Sequence, residues 1–170
     1  MSVENLLVDM LGSVPHWLAV MVIGALPISE LRGAIPVAIG IYEMRPFEAY
    51  FFSVLGNLIP VVPLLLYLEP VSGYLRRYHI FDVFFTWLFA RTRRKHTENF
   101  EKYGLLALTL FVAVPLPVTG AWTGCAAAFV FGIKFRHSFP AITAGVMIAG
   151  VVVTVITMTG MNLADLIFGV

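Results

Sequence analysis

Stretches without Asp, Glu, Lys or Arg dominate this 170-residue chain. Met10–Ser29 continues across Glu30-Leu31-Arg32 into Gly33–Tyr42, Phe47–Leu68 carries a single acid, Glu48, at its edge, and Tyr103–Ile133 and Phe139–Ala164 complete the set. A charge at mid-bilayer costs at least about 2.5 kcal/mol, so runs this long predict membrane-embedded elements. Phe51–Leu68 has 18 residues, about 27 Å as a helix against a hydrocarbon core of about 30 Å. It predicts one span, bent by Pro60 and Pro63. Phe139–Thr159, rich in Gly, Ala, Val and Thr, predicts a second span that packs closely through small residues.

The other two runs are interrupted. Tyr103–Ile133 is too long for an upright span and is broken at Pro115, Pro117 and Gly120. Its arms, Gly104–Val114 and Ala121–Ile133, are each half a span. The first run has the same plan, with arms Trp17–Ile28 and Ala34–Tyr42 around a break at Pro27–Gly33. Paired half-helices at a Pro/Gly break predict a re-entrant hairpin, whose freed backbone needs protein or a water-lined cavity around it. Hairpin, short link, span occurs twice, which is a pointer to a transporter repeat. The expected fold is therefore an all-α integral membrane protein, an inverted repeat of re-entrant helical hairpin plus transmembrane helix. Repeat one covers about 15–68, an interfacial segment 69–103, and repeat two about 104–160.

Composition agrees: 59% of residues are hydrophobic and 12% charged, which excludes an ordinary soluble domain, with roughly twice that charge. Of the 11 Lys and Arg, nine (Arg76, Arg77, Arg91, Arg93, Arg94, Lys95, Lys102, Lys134 and Arg136) fall on one side of the expected topology and only Arg45 on the other. The positive-inside rule then makes 69–103 cytoplasmic in a multi-pass protein of the cell membrane. Glu4 and Asp9 before the first apolar run have the wrong sign for a secretory signal. Cys125 is alone and His16, His79, His96 and His137 are scattered, so no disulfide, metal or cofactor is expected. No nucleophile or nucleotide motif suggests an enzyme. The aromatic run Ile80–Ala90 followed by Arg91, Arg93, Arg94 and Lys95 reads as a helix at the membrane surface meeting anionic lipids, rather than as a nucleic-acid patch.

Chemistry concentrates at the breaks. Glu30, Arg32 and Gly33 stand at the first tip, and an intramembrane ionisable residue is a functional candidate by default. The structural alternative is an ion pair that merely makes a polar turn tolerable. Arg32 offers a bidentate donor to phosphate or carboxylate, and desolvation would let Glu30 carry a proton. The second tip is uncharged. There Thr119 is expected to cap the following arm, Gly120 to allow close backbone approach, Trp122 to stack on a ligand or fill space, and Thr123 to add a hydroxyl. Asn57 is a polar group in the first span, either interhelical glue or a site contact. Two facing tips would hold an anion on helix N–H groups and a cation on carbonyls.

Glu30–Pro36 (ELRGAIP) and Pro115–Gly124 (PLPVTGAWTG) resemble the paired signatures of the small multi-drug export family, and the resemblance covers nearly the whole chain. It implies efflux of small molecules, here with proton coupling through Glu30. The plan is also remotely similar to the DedA superfamily, whose facing re-entrant hairpins are associated with movement of lipid or lipid phosphate. That likeness implies, as an alternative, a translocase or flippase of anionic headgroups. DedA-type proteins usually place arginine in the second hairpin as well, where this chain has none. A non-transporting membrane scaffold is the alternative of another class. Membrane lipids and a small-molecule or lipid substrate are the expected partners, and a homodimer is open.

Overall fold

The computed structural model describes residues 14–75, 99–115 and 119–168, with side chains over 14–68, 104–115 and 119–162. Among them there are seven helices and no strand: α1 His16–Ala25, α2 Glu30–Gly40, α3 Pro46–Leu58, α4 Val61–Leu75, α5 Asn99–Ala113, α6 Ala121–Val130 and α7 Phe135–Phe168. The expected surface helix at Ile80–Ala90, and with it Arg91, Arg93, Arg94 and Lys95, lies outside the described residues.

Each element starts where its residues allow. Pro46 occupies the first turn of α3, where its missing N–H removes no bond, so this helix begins before the charge-free stretch and takes Glu48 into its first turn. The expected span runs from Pro46 to Leu68, with a turn in it between α3 and α4. The break falls at Ile59-Pro60 because Pro60 cannot donate back to the Gly56 carbonyl, whereas Pro63 sits harmlessly in the first turn of α4. α7 keeps Pro140 inside it and runs unbroken.

Pro46–Leu68 and Phe135–Asn162 are long and apolar enough to cross a membrane, with only 33% of each apolar window buried. Their outer faces are oily: Phe47, Phe51, Leu55 and Ile59 form a stripe at four-residue spacing, exposed by 76, 46, 39 and 56%. The core helix of a soluble protein would bury such a stripe, and a span turns it to lipid.

Contacts divide the chain into two compact units, Met1–Ile59 with Val146–Val170, and Pro60–Gly145. In the first, α1 and α2 pack on each other and on α3. Val20, Ile23, Ala34, Val37, Ala38 and Ala49 form its core, edged by Tyr42 and Phe52. Gly56 lets α3 approach α1 so closely that a Cβ there would lie 2.2 Å from the Met21 carbonyl oxygen. In the second unit α6 packs on α4 and α5, and Thr109 Oγ1 donates to the Ala141 carbonyl at 3.1 Å, joining α5 to the first turns of α7.

Candidate functional site

The first break is shorter than the sequence suggests. α1 stops at Ala25 and α2 starts at Glu30, four residues ahead of the expected arm. Glu30 and Arg32 are thus residues of the first helical turn rather than of a loop. An acid in the first turn complements the helix dipole, and Gly33 causes no stop because its amide bonds the Ser29 carbonyl at 2.9 Å. Pro36 lies inside α2 and has no N–H of its own to give to the helix.

Three features meet at Glu30. It is 6% exposed, it stands at φ 47° in the left-handed region, and its Oε2 lies 3.9 Å from Arg32 Nη2. A non-glycine residue in that region costs roughly 1–2 kcal/mol, and taking a carboxylate out of water costs more unless it is paired. The Arg32 side chain stays 26% exposed, so one member of the pair is covered and the other faces outward.

The turn is held by side chains from both directions. Ser29 Oγ donates to the Ile23 carbonyl at 2.6 Å, and Asn57 Nδ2 donates to the Gly24 carbonyl at 3.0 Å. The last carbonyls of a helix lack intrahelical donors, and here two of those near the end of α1 receive hydroxyl and amide protons. Asn57 therefore acts as a brace between α3 and α1. Its Oδ1 and the Ser53 Oγ one turn before it are buried without a partner among the described residues. Leaving such an atom unsatisfied costs about 1–3 kcal/mol. Sequence reasoning found Asn57 and missed Ser53 and Ser29. Spacing was the available signal, because residues 53 and 57 share one face of a helix.

At the second tip, Thr119 does not cap α6. Its hydroxyl turns back to the Val114 carbonyl behind α5, and the N-cap is Gly120, with no side-chain cap. Gly120 adopts φ 151°, ψ −168°, a conformation open almost only to glycine, and once the backbone turns this way the neighbouring threonine is directed to the preceding helix. Thr123 Oγ1 donates to the Gly120 carbonyl at 3.3 Å. Trp122 lines an apolar recess of about 370 Å³ with Pro60, Pro63, Leu64, Tyr67 and Leu68. No group of His, Cys, Asp or Glu among the described residues is arranged to hold a metal.

Glu30, Arg32, Gly33 and Asn57 thus belong to the first unit, and Thr119, Gly120, Trp122 and Thr123 to the second. The first four are brought around one helix break. The Tyr42 ring stacks on His16 with centroids 4.5 Å apart.

The family described as "Putative small multi-drug export protein" matches residues 30–152. The match begins at Glu30, on the α2 side of the first tip, and takes in the whole of the second. Comparison with curated proteins and with solved structures returns no match.

Proposed function

Since the chain belongs to the family of small multi-drug export proteins, we propose that it exports small organic molecules across the cell membrane in exchange for protons, with Glu30 as the acid that carries them. The observation behind this is Glu30 itself. A carboxylate that is nearly covered and held in a left-handed backbone conformation burdens stability twice, in a chain whose long helices turn apolar faces outward. Strain and buried charge gather where chemistry needs them.

A carboxylate in such a place is either neutralised by a proton or paired. Ionised, it holds Arg32. Protonated, it releases that pair. A cationic substrate competes with the proton for the same oxygens, and this competition is the coupling in an exchanger. Arg32, partly exposed, sets the charge of the entrance. The proposal extends to the second tip on the strength of the sequence plan alone: both breaks are re-entrant, and Gly120, Trp122 and Thr123 are the candidate contacts at the second. Residues 69–103 are cytoplasmic in this reading.

The test is transport of ethidium by proteoliposomes under an imposed proton gradient. Export requires gradient-driven ethidium movement that Glu30→Gln reduces to background and Arg32→Lys only lowers. Movement of a labelled lipid phosphate instead, lost in Arg32→Lys, would overturn the reading in favour of headgroup translocation. Full activity in both variants, with loss on deleting Arg91–Lys95, would favour a scaffold.

A further inference from the structure

The two long apolar helical stretches begin alike but differ in charge. α3 starts at Pro46 and α7 at Phe135, and each presents a pair of phenylalanines one turn apart. Phe47 stacks on Phe51 with ring centroids 6.4 Å apart, and Phe135 on Phe139 at 5.6 Å. Aromatic rings at the end of a span sit at the level of the lipid headgroups. Around the first pair the exposed charges are mixed: Glu43, Arg45 and Glu48. Around the second they have one sign. Lys134 and Arg136 are exposed, and the described side chains of that unit, Pro60–Gly145, include no acid.

Helix stability does not account for these cations. A cation in the first turn lies at the positive pole of the helix, where it is disfavoured, and α7 has no acid there to offset it, whereas α3 has Glu48. The backbone that carries them is nevertheless fixed. The Lys134 carbonyl accepts the His137 amide at 2.9 Å, the Ser138 amide at 3.0 Å and the Ser138 hydroxyl at 3.2 Å, and Ser138 is fully buried. Lys134 and Arg136 thus flank Phe135, and Phe139 follows about 6 Å further along the helix, toward the interior of the span. Basic groups at the rim with a ring pair one turn deeper match a phospholipid, phosphate at the surface and acyl boundary beneath it. Arginine offers phosphate a bidentate fork, and lysine adds a second charge. A headgroup that carries its own cation gains less from them, so the arrangement selects anionic lipid.

We propose that Lys134 and Arg136, with the stacked Phe135–Phe139 pair, bind the phosphate group of an anionic membrane phospholipid. The bound lipid supplies the negative charge that the first turn of α7 lacks and anchors the start of this span in the membrane surface. These residues belong to the second unit and Glu30 to the first. The inference goes beyond the export reading, because holding a lipid here requires neither proton coupling nor transport.

Native mass spectrometry of the purified full chain tests it, with phosphatidylglycerol titrated against phosphatidylcholine in mixed micelles. The chain is expected to retain phosphatidylglycerol in preference, and Lys134→Gln combined with Arg136→Gln to retain one such lipid fewer at the same mole fraction. Should the double variant not fold, Arg136→Gln alone decides, by raising the phosphatidylglycerol needed for half occupancy about fivefold. Arg45→Gln, at the start of α3, should change nothing. Sodium phosphate at matched ionic strength should not displace the lipid, which separates a lipid site from one for a free anion. Glu30→Gln should bind as the natural chain does, so a failure of proton coupling and a failure of lipid binding are read separately. Equal retention of the two lipids, an unchanged count in the double variant, the same loss in Arg45→Gln, or displacement by phosphate would each overturn the assignment.

Discussion

At the first tip the reversal between α1 and α2 is closed by side chains: Ser29 and Asn57 reach the carbonyls of Ile23 and Gly24, and Glu30 takes the left-handed conformation that a glycine would take without strain. At the second tip a glycine does take the unusual conformation, Gly120 at φ 151°, and one threonine hydroxyl closes the turn against Val114. The helices behind the tips differ in the same sense. Gly56 brings α3 against the backbone of Met21, while Gly124 sits against the side chain of Val112. The first unit is thus strained and charged at its break, whereas the second gives its unusual backbone conformation to a glycine and, at Gly124, meets only side chains. Where strain is retained although glycine would relieve it, a function of the side chain is the economical explanation.

The contrast breaks most easily at the glycines. In Gly56→Ala the new methyl group meets backbone that cannot turn away, and a loss of about 3 kcal/mol or more is expected from overpacking. Gly124→Ala meets a rotatable Val112 methyl at 2.5 Å and should lose clearly less. Chemical denaturation of both variants in detergent would show it, and equal losses would erase the difference between the units.

A second comparison exchanges the backbone solutions. Gly120→Ala forces an alanine into glycine territory and should cost about 1–3 kcal/mol. Glu30→Gly relieves a left-handed residue and removes a buried acid, so it should stabilise by about 1 kcal/mol while ending proton-driven transport. Opposite signs in Tm are the expected outcome; a destabilised Glu30→Gly would mean that the carboxylate holds the turn rather than serving transport. The smallest effect belongs to Thr119→Val, which deletes one hydrogen bond near the surface and should cost about 0.5–1.5 kcal/mol with transport retained. A large transport defect there would give the second tip a chemical role beyond its backbone.

Much of the first site was legible because an acid and a base inside an apolar run are costly anywhere in a membrane, whatever they touch. Ser53 was not legible. A serine in a span is unremarkable until its neighbours are known, and only the approach of α1 at Gly24 makes its hydroxyl a buried atom without a partner. Thr119 was misread for a related reason: a threonine before a helix caps it only if the backbone turns the hydroxyl inward, and the conformation of Gly120 turns it back.

Charge-free length and the positions of Pro and Gly determined that the chain is helical, where its helices break, and which of them are long enough to span. These are local properties, fixed by hydrogen-bond satisfaction and solvation residue by residue. Family membership followed from the same local stretches, at the two breaks. Which helix start receives Glu30, which carbonyls Asn57 and Ser29 satisfy, and where α3 touches α1 at backbone distance were decided only by packing, because those outcomes depend on which residues, distant along the chain, are forced to share one small volume.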